Sequence, residues 1–266
     1  MISTMCRLLG VTRSLVYYEP TPHKIDVASE NAVIEEFKDN WNVYGTRKLK
    51  RALARRKEPI LISRRKIGKI MKKYGLVSKY VKKQKSRKSV INEEAKPNIV
   101  NREFEGRKPY DVVVSDLTYV KVGSKWHYVC LLLDLSARDI IGFAAGKNKD
   151  AKLVRKAFYR VNTDLRNINI FHTDRGSEFK NEVVDGIISA FGIDRSLSAK
   201  GNPYDNAVAE SMYNVLKTEM VLNESFDTLD ELELRLFEYV NWYNNIRLHG
   251  ALGYITPMEA KSNFVN

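Results

Sequence analysis

Three acidic residues stand where they could share one site. Asp116 follows the apolar run VVVS at the expected end of the first β-strand, and Asp174 is expected to end the fourth strand. Glu210 falls inside a helix predicted over about 206–221. If adjacent strands bring the two aspartates together under that helix, three carboxylates converge and repel each other unless cations lie between them. Hard oxygen ligands favour Mg²⁺ or Mn²⁺, and two such ions about 3.5–4 Å apart serve phosphoryl transfer, so these acids are candidate metal ligands.

The predicted helix strengthens this interpretation. It separates apolar from polar side chains on opposite faces: Val208, Met212 and Val215 against Asn206, Glu210, Tyr213 and Lys217. Glu210 and Lys217 lie two turns apart on the polar face. A carboxylate for metal beside an ammonium for phosphate suits a site that handles a nucleic-acid backbone. Without the two aspartates, such a pair is more often simply solvated.

Positive charge is concentrated in the first part of the chain. Residues 1–100 hold 24 Lys and Arg against 9 Asp and Glu, a net of +15, whereas residues 101–266 carry a net of −2. Such a basic region is typical of a protein that binds a polyanion, since cations that neutralise phosphates release condensed counterions. The alternative is a solvated basic surface without a partner.

Short helices are predicted throughout this basic region. A helix, a turn at Gly10 and a second helix capped by Thr12 come first, followed by a helix over 27–39. GTRKLKRALARR then forms a helix with Leu49 and Leu53 one turn apart. After a loop at Glu58–Pro59, SRRKIGKIMKKYGL is predicted to form a further helix, with Ser63 as its N-cap and Gly75 at its end. Its apolar face consists of Ile67, Ile70, Met71 and Tyr74.

The helix predicted from SRRKIGKIMKKYGL resembles the recognition helix of a DNA-binding helix-turn-helix. Two short helices joined by a tight loop, the second amphipathic and basic, are what placement in a major groove requires. The candidate DNA contacts are Arg47, Lys48, Arg64, Arg65 and Lys69. An ordinary helical bundle with a solvated rim is the alternative.

A change of pattern marks the predicted domain boundary. We expect a basic helical region over 1–78, a basic linker over 79–100, and a catalytic domain with C-terminal helices over 101–266. Within the last range, three β-branched and aromatic runs predict a meander of three strands, and alternating helices and strands follow. This order predicts an α/β domain whose mixed sheet is covered by helices on both faces.

Composition excludes several classes of protein. Cys6 and Cys130 are the only cysteines, and their separation suits neither a disulfide framework nor a zinc site. The longest apolar run, YVCLLL at 128–133, is far shorter than the ~20 residues of a membrane span. We therefore expect a cytoplasmic, nucleoid-associated protein without a membrane partner.

Four longer stretches identify a resemblance. VNREFEGRKPYDVVVSDLTYV, FHTDRGSEF, SAKGNPYDNAVAESMYNVLKTE and YVNWYNNIRLHGALGYITPMEA resemble blocks of insertion-sequence transposases of the third family. The match is to the OrfB-type catalytic subunit of this IS-three family, which is related to retroviral integrases. VYGTRKLKRAL and ISRRKIGKIMKKYGL resemble the basic helical region of the same family, so the resemblance covers nearly the whole chain.

The resemblance carries expectations of its own. It implies a ribonuclease-H-like integrase core with a mixed five-stranded sheet flanked by helices, preceded by a basic all-α helix-turn-helix region. It matches Asp116, Asp174 and Glu210 to the family's acidic triad and Lys217 to its DNA-contacting lysine. It further implies cleavage and strand transfer of DNA with Mg²⁺ or Mn²⁺, a homo-oligomer on DNA, and an upstream-frame DNA-binding partner. A regulator that has lost catalysis and a nuclease acting on RNA–DNA hybrids are the alternatives.

Other residues compete for roles. Asp134 is a rival carboxylate, and the resemblance aligns it with a non-ligand position paired locally in the second strand. His172 is expected to be a structural neighbour of the acids, and His249 to contact DNA or to pack. Asp205 and Asn206 are expected to shape or cap the helix of Glu210. No zinc is expected, since residues 1–100 contain only His23 and Cys6 as potential soft ligands.

Overall fold

A computed structural model describes residues 2–18, 27–81, 107–198 and 207–264. The predicted caps Asp205 and Asn206, His23 and most of the predicted linker lie outside these ranges. In the N-terminal part the helices are α1 Ile2–Leu9, α2 Arg13–Val16, α3 Val27–Asp39, α4 Thr46–Ala54 and α5 Arg64–Lys73. In the described part of the chain, no helix is both long enough and apolar enough to cross a membrane.

The local signals of the N-terminal helices are largely confirmed. The hydroxyl of Ser63 accepts a hydrogen bond from the Lys66 amide and so caps α5, as predicted. Gly75, at φ +64°, ends that helix in the left-handed conformation that glycine tolerates best. Thr12 stands at the N-cap of α2 without a capping bond from its side chain. Leu49 and Leu53 are both fully buried.

The second part of the chain builds a mixed sheet. Its elements are β1 Val112–Val122, β2 Lys125–Asp134, β3 Ile140–Gly146, α6 Ala151–Tyr159, β4 Ile170–Thr173, α7 Glu182–Ala190, β5 Asp194–Leu197, α8 Ala207–Glu219, α9 Leu229–Asn245 and α10 Pro257–Ser262. The five strands lie in the order β3-β2-β1-β4-β5. The first three are antiparallel, while β4 pairs parallel with β1 and with β5. The predicted mixed sheet is therefore confirmed.

Each face of the sheet is covered by helices. Val113, Cys130 and Leu132 pack with residues of α6 and α7 on one face. Val112 and Val114 point to the other, where their cluster includes residues of α8 and α9. That second cluster continues into α3, α4 and α5, so the N-terminal helices and the sheet share one apolar core.

Three local predictions need correction. Asp116 is the fifth residue of an eleven-residue strand and does not end it, because the apolar alternation resumes at Thr118 and Val120. Tyr213 lies in the core, 5% exposed, and not on a solvated polar face. Lys79 begins a short helical turn over 79–81 that packs on the end of α8, at the start of the range predicted as a basic linker. The division of the chain into domains at 78 and 100 stays a prediction.

Candidate active site

The strand register brings Asp116 and Asp174 to the same level. In the parallel pair β1–β4, Val114 lies opposite His172. Two residues further along each chain stand Asp116 and Asp174, and residues two apart on a strand share a face. Asp174 comes directly after the last residue of β4, as predicted, and its Oδ1 accepts the amide of Gly176 at 2.9 Å. The two aspartates therefore point to one side of the sheet, the side that α8 covers.

The electrostatics of Asp116 reflects the other two predicted acids. Burial, together with the charges of Asp174 and Glu210, raises the pKa of Asp116 to about 6, although the Leu117 amide opposes the rise by donating to its Oδ1 at 2.7 Å. Partial burial also raises the pKa of Glu210. A carboxylate held among like charges favours protonation or a bound cation. Nevertheless, among the described residues no three His, Cys, Asp or Glu side chains lie close enough to hold one ion together.

Helix α8 positions Glu210 through a buried tyrosine. Glu210 stands in the first turn, where the helix dipole favours a negative charge. One turn later, the hydroxyl of Tyr213 accepts a hydrogen bond from the Leu131 amide at 2.8 Å and donates one to the carbonyl of Asp116. Asp116 and Leu131 are opposite each other in the β1–β2 register, so this hydroxyl bridges the two strands at the candidate site. The contact fixes α8 on the strand that carries Asp116.

A lysine that the sequence analysis did not single out faces the acids. The ammonium of Lys149, in the loop after β3, lies 2.8 Å from Oε1 of the buried Glu178. The hydrogen bond to Glu178 raises the pKa of Lys149, and the charges of Glu178, Asp174 and Asp116 add to the effect although partial burial opposes it. Glu178 fits because residue 176 is glycine: a Cβ there would lie 2.4 Å from the carboxylate. In the sequence, the only signal for this pair is the clustering of acidic residues in FHTDRGSEF, which contains Glu178.

The rival groups have structural partners. Asp134 is fully buried at the end of β2, where its carboxylate accepts from the Tyr110 amide at 2.9 Å and from the amide and hydroxyl of Ser136. The local pairing expected of it is confirmed. His172 is fully buried, with its Nδ1 2.8 Å from the Ser196 hydroxyl, which agrees with a structural role. His249 packs edge-on against Tyr243 at 4.7 Å, and burial together with the charge of Arg247 lowers its pKa to about 2.

Lys217 lies beside the site with its ammonium over an aromatic ring. Its Nζ is 4.8 Å from the ring centroid of Tyr119 in β1. Glu210 and Lys217 share a side of α8, separated by about 10 Å at the helical rise. The predicted polar face of α8 is therefore present and carries Glu210 and Lys217. Tyr213 lies between these two residues along the helix, with its side chain turned into the core.

The five predicted DNA contacts divide into two groups. Arg47, Lys48 and Arg64 line one cleft of about 680 Å³, together with Tyr80, Arg247 and Tyr254. Burial lowers the pKa of Lys48 to about 8, and the neighbouring charge of Arg247 contributes. Arg65 and Lys69 are exposed on α5 and do not line this cleft. Within the described part of the chain, none of the five forms an ion pair with a carboxylate, which leaves them available to an anion.

A buried polar cluster connects the cleft to α8. The side chain of Glu219, at the end of α8, is fully buried and accepts from Arg247 at 2.7 Å and from Tyr239 at 2.9 Å. It also accepts from the hydroxyl of Tyr80, and the ammonium of Lys79 donates to its carbonyl at 2.7 Å. We call these residues the Glu219 cluster. It fastens the segment after α5 to the helix of Glu210 and Lys217.

Comparisons with known proteins agree with this architecture. Residues 106–203 and 210–263 match two protein families described as "Integrase core domain", and residues 24–84 match a family described as "HTH-like domain". The transposase for insertion sequence element IS904 of Lactococcus lactis is 32% identical over 75% of this chain and 81% of its own. The insertion element IS600 uncharacterized 31 kDa protein of Shigella sonnei is 31% identical over 98% of each chain.

One solved structure shows the same fold. A chain in the cryo-electron microscopy structure of the simian T-cell lymphotropic virus intasome with PP2A regulatory subunit B56 gamma matches 86% of this chain and 73% of its own, with a TM-score of 0.50 and 12% identity. This likeness concerns the fold alone. The HTH-like and integrase-core matches follow one another in the order that the structure shows. Together with relatives above 30% identity along the chain, they establish that it belongs to the third family of insertion-sequence transposases and is a DNA transposase.

Proposed function

We propose that Asp116, Asp174 and Glu210 are the catalytic carboxylates of this transposase. With them, the chain uses water to hydrolyse a DNA phosphodiester at an element end. The freed 3′-hydroxyl then attacks a second phosphodiester, joins to its phosphorus and displaces the 3′-oxygen of that strand. The observation that carries the proposal is the shared level of Asp116 and Asp174 on β1 and β4, with the raised pKa of Asp116 as its electrostatic signature. Both steps have the same requirement, namely an attacking and a leaving oxygen held in line at one phosphorus.

The donor set fits a divalent cation. All three side chains offer hard oxygen atoms, and the charge that accumulates around Asp116 is the kind that a cation relieves. Asp116, Asp174 and Glu210 would hold Mg²⁺ or Mn²⁺, and we propose two ions. Such ions, when bound, supply Lewis-acid activation of the attacking oxygen and charge compensation at the leaving oxygen.

The remaining residues orient the DNA and the acids. Tyr213 holds α8 on β1 and so sets the distance between Glu210 and Asp116. Lys217 offers an ammonium to a backbone phosphate, while Arg47, Lys48 and Arg64 in the cleft offer charges to more distant phosphates. Since an element has two ends and one chain has one site, we propose a homo-oligomer on DNA. The upstream-frame partner stays a prediction from the resemblance.

The decisive experiment compares two Glu→Gln variants in helix first turns. Glu210→Gln removes a proposed ligand from α8, and Glu182→Gln changes an exposed glutamate that is also in a first turn, that of α7. With duplexes carrying the DNA that flanks the gene, we expect Glu210→Gln to lose cleavage and strand transfer by about 10²-fold or more, and Glu182→Gln to lose neither. Affinity for the duplex should stay unchanged in both variants, and the unfolding temperature should fall in neither.

The alternatives give different outcomes in the same assay. A non-catalytic regulator would bind the duplex without cutting it in any variant. A nuclease of RNA–DNA hybrids would cut a hybrid competitor in preference to the duplex. Wild-type cleavage rates in Glu210→Gln would contradict the assignment of the third carboxylate.

A further inference from the structure

Two exposed aromatic side chains pair on the hairpin next to the candidate site. Tyr119 of β1 and Trp126 of β2 meet edge to face, with ring centroids 5.1 Å apart and an interplanar angle of 87°. Each is more than half exposed, at 56% and 57%. Two adjacent exposed rings offer an apolar surface on which a further flat ring can stack.

The pair lies at a defined distance from the carboxylates. Tyr119 is three residues from Asp116 along β1, about 10 Å at the rise of a strand, and its side chain leaves the strand on the opposite face. Lys217 is about 10 Å from Glu210 along α8, and its ammonium lies over the Tyr119 ring. The Tyr213 hydroxyl on the Asp116 carbonyl is therefore one contact between α8 and β1, and Lys217 over the Tyr119 ring is the next contact along the same two elements.

Charge around the pair selects the chemistry of the partner. Lys121 and Lys125 are exposed on the same hairpin. Lys121 lies opposite Trp126 in the β1–β2 register, and Lys125 precedes it in the sequence. With Lys217, they surround the rings with positive charge. A ligand that carries both a flat π surface and a negative charge meets these conditions, and a nucleotide of unpaired DNA has both.

We propose that Tyr119 and Trp126 form a stacking site for an unpaired base of the DNA substrate, with Lys217 bound to the adjoining phosphate. The proposal rests on the proposed function for the position of the cleaved phosphodiester. The base would anchor the strand while the carboxylates act on its backbone.

The test separates binding of bases from binding of phosphates. The full chain in EDTA is titrated with an oligothymidylate of about 12 nucleotides and with an abasic oligomer of the same length and phosphate number. We expect the wild type to bind the oligothymidylate about tenfold more tightly. Trp126→Ala and Tyr119→Ala should bring that ratio close to one without weakening binding of the abasic oligomer.

Tyr159 provides a matched control. It is 74% exposed on α6, and the guanidinium of Arg155 lies 5.9 Å from its ring centroid, so it has the same chemistry away from the acids. Tyr159→Ala should keep the full preference for bases. Trp126 also reports directly, because a stacked base should quench its exposed indole, whereas Trp242 is 3% exposed and Trp41 is half-buried with the Arg235 guanidinium over its ring. This second signal needs only the wild-type chain and its Trp126→Phe variant.

Each result decides the question. Equal affinity of the wild type for the two oligomers, a preference that survives Trp126→Ala, or quenching unchanged in Trp126→Phe would overturn the stacking site. The measurements contain no metal and no cleavage step, so they stand whether or not Glu210→Gln loses activity. Loss of the base preference in Trp126→Ala and Tyr119→Ala, with Tyr159→Ala unaffected, would establish it.

Discussion

Asp116→Asn should stabilise the metal-free protein while it abolishes activity. The pKa of Asp116 is about 6 in the folded chain, against an ordinary value of 3.8, so folding favours its protonated form. At pH 7.5 the ionised side chain therefore costs about 3 kcal/mol of folding free energy. Asparagine keeps an oxygen for the Leu117 amide and carries no charge, which removes the cost.

The pH dependence of this gain has a definite sign. Because the folded pKa is raised, the folded chain binds more protons than the unfolded chain between pH 3.8 and about 6, and stability falls as the pH rises through that window. The difference between wild type and Asp116→Asn should be close to zero below pH 4 and complete above pH 7. In thermal unfolding with EDTA, we expect an increase of about 5–10 °C at pH 7.5.

Asp134→Asn supplies the opposite case. Each carboxylate oxygen of Asp134 accepts a backbone amide, from Tyr110 or Ser136, so whichever becomes the NH₂ group faces a donor. We expect this variant to lose about 1–3 kcal/mol of stability and to retain measurable metal-dependent activity at low temperature.

Mn²⁺ should raise the unfolding temperature of the wild type and not that of Asp116→Asn. A destabilised Asp116→Asn, or one that still responds to Mn²⁺, would refute the electrostatic reasoning.

Two further predictions concern the surfaces around the site. Replacing Arg47 and Arg64 together with alanine should lower the slope of log affinity against log salt by about 2 for duplex DNA, and an unchanged slope would exclude the cleft from phosphate binding. Tyr213→Phe should cost about 1 kcal/mol in urea unfolding, since it removes the bonds of the hydroxyl to the Leu131 amide and the Asp116 carbonyl, and should lower the cleavage rate. Full stability in Tyr213→Phe would mean that the hydroxyl does not bridge the strands.

Much of the fold is readable from periodicity. The three antiparallel runs, the buried fourth strand and the long helices α8 and α9 all stand out, because each repeats its apolar residues with a clear period. Helix α10 was not predicted, although Thr256, Pro257 and Glu259 form a capping box with proline in the first turn. Its six residues are too few for periodicity to show.

The site was harder to predict than the fold. Asp174 and Glu210 were placed on the correct elements, whereas Asp116 was put at a strand end because a charged residue interrupts an apolar run. A tyrosine in a helix can face either way, and only the sheet beneath it decided that Tyr213 turns inward. Lys149 and Glu178 are 29 positions apart in different loops, so no local pattern links them. The cleft likewise depends on Arg247, far from the basic helices in sequence.

The Glu219 cluster bears on how such proteins can be recombined. A chimera that joins the N-terminal helices of one relative to the integrase core of another would separate Lys79 and Tyr80 from Glu219 and Arg247, which bind each other across the joint. An unmatched partner would leave Glu219 and Arg247 paired with each other but without the Tyr80 hydroxyl that both contact, and the loss of a hydrogen-bond partner at such buried groups costs about 1–3 kcal/mol. The N-terminal helices therefore cannot be exchanged between relatives on their own. They can be exchanged only together with the residues at 80, 219 and 247.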